Sequence, residues 1–178
     1  MKVQPIKSKT LALLIALCSA QSSFAETPGA LGKEWSRSGF GGNITYKCRQ
    51  PSCGGPNSLM MVMKLGGISG APELGIPSGS NLEAEFRRRP EVRRTLGAML
   101  QQLTRQGPNK GSRITSSYFA NANYAGFNFT LFNAKANAYM AAQLRISGSK
   151  AIMIGGAAET QALARRNFNL ILPTVKAD

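Results

Sequence analysis

The spacing of hydrophobic residues changes character several times along this 178-residue chain, and each change predicts an element. "FGGNITYKC" (40–48) alternates near its end, with Ile44 and Tyr46 on one side. "SLMMVMKL" (58–65) is a continuous apolar run. Both patterns predict strands, and the short segment between them predicts a hairpin. "GGISGAPELGIPSGS" (66–80) is dense in glycine and proline, which interrupt regular structure, so it is expected to be a loop. A loop of this length is expected to be functional or mobile.

A helical period follows. Ser80 to Glu83 has the Ser-x-x-Glu form of a capping box, which predicts a helix starting near Asn81. Pro90 breaks or kinks that helix and suits the first turn of a second segment, 90–106. There Val92, Leu96, Met99, Leu100 and Leu103 form one amphipathic stripe, and Gly107 and Pro108 end it. From Arg113 the period shortens again. "RITSSYFANA", "AGFNFTLFNA", "NAYMAAQLRI" and "KAIMIGG" are four strand-length runs separated by polar or glycine turns, the spacing of an antiparallel meander. In "ETQALARRNFNLILPTV" (159–175), Leu163, Leu170 and Ile171 mark a helical face, and Pro173 ends it. The chain shows no internal repeat and no low-complexity tract.

The predicted order is ββαββββα: an α+β fold with an antiparallel sheet of about six strands and helices packed on it. This order, ending in "GSKAIMIGGAAETQALARRNFNLILPTV", resembles the PsbP-like fold, in which a last strand leads through small residues into a C-terminal helix lying on a six-stranded antiparallel sheet. The likeness runs over residues 40–175 by element order, and its residue motif lies in the last thirty or so. The family includes photosystem extrinsic proteins and bacterial envelope proteins, mostly binding or assembly factors. The resemblance therefore implies a non-enzymatic class of function. The hairpin cysteines and the 66–80 loop have no counterpart in it.

The N-terminus changes where this fold is expected to work. Lys2, Lys7 and Lys9 precede the apolar stretch Leu11 to Cys18, and Ser23-Phe24-Ala25 supplies the small residues that a signal peptidase reads. Cleavage is expected between Ala25 and Glu26, giving a signal peptide (1–25), a loose leader (26–39) and a single domain (40–176) of a periplasmic or secreted protein. The apolar stretch is too short to span a bilayer. A lipoprotein reading through Cys18 is disfavoured because Leu17, just before it, is not small. Cys48 and Cys53 remain after cleavage. An even count in an oxidising compartment predicts one disulfide, a loop staple worth about 2 kcal/mol on the chain-entropy account. Four residues separate the thiols, so the pair lacks the spacing of a redox motif.

Charge and chemistry narrow the function further. The net charge is +14, and loss of the three signal-peptide lysines leaves +11. Such a chain attracts anionic partners. Outside the inner membrane these are lipid head groups, lipopolysaccharide phosphates, acidic polymers or an acidic protein; export disfavours nucleic acid. The sequence holds no histidine, which removes histidine-based nucleophilic catalysis and the commonest metal ligand, so neither cofactor nor metal is expected. A histidine-free hydrolase would have to draw its carboxylates from Glu34, Glu73 and Glu159. A secreted factor acting on a host or rival cell is another alternative that export leaves open.

The densest feature is "EFRRRPEVRR" (85–94). Glu83–Arg87 and Glu85–Arg89 stand at i, i+4 and are expected to pair, and Glu91 suits the first turn of the second helix. Five arginines against three acids leave an excess of cations. Arg87, Arg88, Arg89, Arg93, Arg94 and, further along the polar ridge, Arg105 are the candidate anion-binding residues. A solvated basic face is the alternative. The aromatics Tyr118, Phe119, Tyr124, Phe127 and Phe129 are read as core and cross-strand partners in preference to a stacking surface for bases or sugars.

Overall fold

A computed structural model describes residues 31–40, 42–65, 70–102, 104–105 and 109–175. The signal peptide with its Ala25–Glu26 junction, Leu103, and the Gly107-Pro108 stop lie outside the described residues. The fold is α+β. Among the described residues seven strands form one sheet: β1 (Trp35–Phe40), β2 (Asn43–Cys48), β3 (Leu59–Lys64), β4 (Arg113–Ala120), β5 (Tyr124–Asn133), β6 (Ala138–Ser147) and β7 (Ala151–Ala158). The spatial order is β1-β2-β3-β7-β6-β5-β4, with every neighbouring pair antiparallel. Two meanders thus meet at β3 and β7. Helices α1 (Leu82–Arg88) and α2 (Pro90–Gln102) connect them, and α3 (Gln161–Ile171) follows β7.

The count of about six strands is corrected to seven. The added strand, β1, opens in the segment read as a loose leader. Its sequence, WSRSGF, is polar apart from its aromatic ends, so periodicity does not mark it. Its place is set by the free edge of β2, where Trp35 stands opposite Cys48 and is buried to 2% exposure. A side chain of that size supplies the packing that polar neighbours lack.

The apolar runs in β3 and β7 follow from coverage on both faces. A strand that alternates between two covered faces needs no polar positions. On one face Met61, Met153, Leu144 and Phe129 pack with Leu82 and Phe86 of α1 and Leu96 and Leu100 of α2. On the other, Met60, Ile152 and Ile154 pack with Tyr46, Trp35 and Ile171 at the end of α3. Small residues let α3 lie close: Ala141, Ala158 and Ala164 form their own buried cluster. A side chain at Gly156 would strike the α3 backbone at Ala164 and Phe168.

The helical start and faces differ in detail from expectation. Asn81, one residue after the serine of the capping box, is the N-cap of α1, its side chain accepting from Ala84 N at 3.0 Å. Glu83 turns to Arg87 instead of reaching back to the cap. In α3 the buried positions are Ala164, Asn167 and Ile171, whereas Leu170 is 39% exposed and Leu163 only partly covered. Where the helix comes closest to the sheet, at Gly156, the buried residue is the small Ala164. Cys48 and Cys53 form the hairpin disulfide, with Cα atoms 5.7 Å apart. Among the described residues no helix is long and apolar enough to cross a membrane.

Candidate functional site

The arginine cluster sits on α1, the α1–α2 junction and α2, and its members have different surroundings. Arg87 pairs with Glu83 at 3.0 Å on an open surface, its side chain 79% exposed. Arg88 and Arg89 both reach Glu85, a carboxylate nearly buried beneath them. Arg89 also donates from Nη1 to the carbonyl of Gly75 at 2.8 Å. That bond ties α1 to the glycine/proline loop, whose Ala71 and Ile76 are fully buried in the core. Arg89 therefore holds local structure together. Arg93 lies over the ring of Tyr118, 5.3 Å from its centroid. Arg94 and Arg105 are exposed, and neither forms an ion pair with a described residue. Both predicted i, i+4 pairs are present.

Tyr118, on the edge strand β4, belongs to a set of ring contacts. Phe86 and Phe127 lie 6.3 Å and 5.7 Å from it, and Phe119 meets Tyr124 at 6.1 Å. These aromatics are cross-strand and helix–sheet partners, as their strand context predicts. Burial raises the pKa of Tyr118, Arg93 works against that rise, and Glu83 adds a little to it.

Cavities among the described residues open on the sheet. One, of about 460 Å³, has an apolar floor that includes Leu59, Met61 and Leu131 and a rim of asparagines with Glu159. Rim groups satisfy each other: Asn57 donates to Glu159, and Asn133 to Asn109. Of the three carboxylates proposed for a hydrolase, only Glu159 lines either cavity. Among the described residues no three ligand-type side chains cluster as a metal site.

The second cavity, about 430 Å³, is a groove between α3 and the β4–β5–β6 part of the sheet. It is lined by Thr115 and Ser117 of β4, Asn128 and Thr130 of β5, and Arg165 and Asn169 of α3, with no carboxylate. The groove exists because α3 covers β7, β6 and β3 and leaves the same face of β4 and β5 open. Beside it, Gln143 Nε2 donates to Asn128 Oδ1 at 2.8 Å, and Arg145 Nε donates to Gln143 Oε1 at 2.8 Å. Arg145 is only 7% exposed, has no carboxylate partner among the described residues, and stacks over Tyr124 at 4.5 Å. Desolvation lowers its pKa, with Tyr124 opposing the shift. None of these groove residues stood among the sequence candidates. The available signal was the alternation of β5 and β6, which places Asn128, Thr130, Gln143 and Arg145 on one face, where a core would have apolar residues.

No family model, curated protein or solved structure matches the chain.

Proposed function

We propose that this is an exported, non-enzymatic binding or assembly protein of the cell envelope, a PsbP-like sandwich that docks on an anionic partner through the basic face of α1 and α2. The observation that carries this reading is the charge imbalance on that face. Glu83 and Glu85 engage Arg87, Arg88 and Arg89, while Arg94 and Arg105 stay exposed without an acidic partner among the described residues. Cations left in solvent keep their long-range field and lose little by meeting a phosphate. The +11 of the expected mature chain acts in the same direction.

The test is co-sedimentation of the protein with phosphatidylglycerol vesicles and with phosphatidylcholine vesicles. Binding is expected for the anionic vesicles only. It should weaken as salt rises past about 0.1 M, where the screening length is about 10 Å. Replacing Arg87, Arg94 and Arg105 by Gln should reduce it strongly and shift stability by less than about 1 kcal/mol, since the ion pair lost is the exposed one to Glu83. Equal binding to both vesicles, or undiminished binding by the triple variant, refutes the reading.

A further inference from the structure

The groove between α3 and the sheet lies on the face opposite α1 and α2, so ligand binding there is independent of docking through the basic face. Its chemistry begins at Arg145. A guanidinium only donates hydrogen bonds. Its contact with Gln143 therefore requires the carbonyl oxygen of Gln143 to face it, as Nε–Oε1 at 2.8 Å shows. With Oε1 committed, Gln143 presents its amide nitrogen to Asn128, and that nitrogen finds Oδ1 at 2.8 Å. Asn128 is then oriented in turn: its oxygen is occupied, and its NH2 group has no partner among the described residues. A buried cation thus determines the direction of two further side chains in series. Each bond in such a chain polarises the next.

The chain ends at a side chain that lines the groove, and its free end is a donor. Arg165 lines the same groove, exposed and without an ion pair to any described residue. Thr115, Ser117 and Thr130 add hydroxyls that make no side-chain hydrogen bond to a described residue, and Asn169 adds a second amide. No carboxylate lines the groove to compete for these donors. A site that offers oriented donors, a guanidinium and adaptable hydroxyls matches an oxyanion carried on a hydroxyl-bearing molecule. We propose that this groove is a binding site for an anionic saccharide, with Asn128 and Arg165 holding the phosphate or carboxylate and the Arg145–Gln143 pair serving as positioning residues. Thr115, Ser117 and Thr130 contact the sugar hydroxyls.

The test uses the full mature chain labelled with 15N, titrated with glucose 6-phosphate, with galacturonate and with uncharged glucose. The two anions separate phosphate from carboxylate as the recognised group, and glucose measures what the hydroxyls contribute alone. Saturable shifts of the Asn128 side-chain NH2 resonances are expected with at least one anion and not with glucose. Asn128→Asp keeps the acceptor that Gln143 needs but replaces the donor with a charge of the wrong sign. It should weaken anion binding at least about tenfold while leaving the melting temperature unchanged or higher, because the new carboxylate lies two hydrogen bonds from Arg145. Arg165→Gln should weaken binding by a similar factor without affecting the fold. The proposal is overturned if neither anion shifts Asn128, if glucose binds as well as the anions, or if a folded Asn128→Asp protein binds them like the wild type.

Discussion

Gly156 stands in β7 where α3 lies closest to the sheet, and one added methyl group measures how tightly that contact is set. A Cβ there would sit 2.7 Å from the carbonyl oxygen of Ala164 and 2.7 Å from the carbonyl carbon of Asn167, and closer still to the nitrogen of Phe168. Carbon atoms pack best at about 3.5–4.0 Å, so α3 must retreat by roughly 1 Å. The obstructing atoms are helix backbone, which has no rotamer to change. A gap of that size forfeits a quarter to a half of each affected contact on the buried side chains of Ala164 and Ile171. It also stretches the 3.1 Å bond from Asn167 Nδ2 to the Ala157 carbonyl. Overpacking of this kind costs about 1–3 kcal/mol. With a urea slope of about 1–3 kcal/mol per molar, Gly156→Ala should lower the unfolding midpoint by roughly 1 M. Gly148, in the β6–β7 turn, is the internal control. A Cβ there meets nothing within 4 Å, and its φ is not in the left-handed region. Gly148→Ala should be neutral or raise stability by about 0.4–1 kcal/mol. Urea unfolding followed by circular dichroism reads both variants. A Gly156→Ala midpoint within about 0.2 M of the wild type would refute the close packing of α3 on β7.

The remaining predictions concern maturation and pH. Mass spectrometry of the exported protein should show a chain beginning at Glu26 and lighter by two hydrogens than its reduced form, and Cys48→Ala with Cys53→Ala should lower stability by about 2 kcal/mol. Alkaline unfolding should report Tyr118. Its pKa is raised above 10.0 in the folded state, chiefly by burial, so its contribution is complete below pH 10 and is lost as pH rises through the folded value. Stability followed by urea titration from about pH 8 to 11 should fall less steeply in Tyr118→Phe than in the wild type. Parallel declines would remove Tyr118 as the cause.

The parts of this fold legible in the sequence are those with a strong local period. β5 alternates from Phe127 to Leu131, β7 is apolar because both its faces are covered, and α2 carries its Val92-Leu96-Leu100 stripe. The Glu83–Arg87 and Glu85–Arg89 pairs are equally local, since one helical turn brings them together. Cys48 and Cys53 needed only an even count and a short loop. Tertiary structure alone decided the rest. β1 is a strand because β2 offers a free edge and Trp35 a buried anchor, neither of which its own six residues reveal. The buried face of α3 runs through Ala164, Asn167 and Ile171, not Leu163 and Leu170, and the sheet comes closest to it where Gly156 meets the helix backbone. Arg89 is tied down because the folded chain brings the Gly75 carbonyl to its guanidinium across fourteen residues. The groove is the clearest case. Asn128, Gln143, Arg145 and Arg165 come from β5, β6 and α3; strand alternation relates Gln143 to Arg145, but no spacing along the chain relates the three elements. They converge because antiparallel register sets Asn128 opposite Gln143, and because α3 covers one half of that face and leaves the other open. Local pattern determines which way a residue points within its own element; only packing between elements determines what it meets.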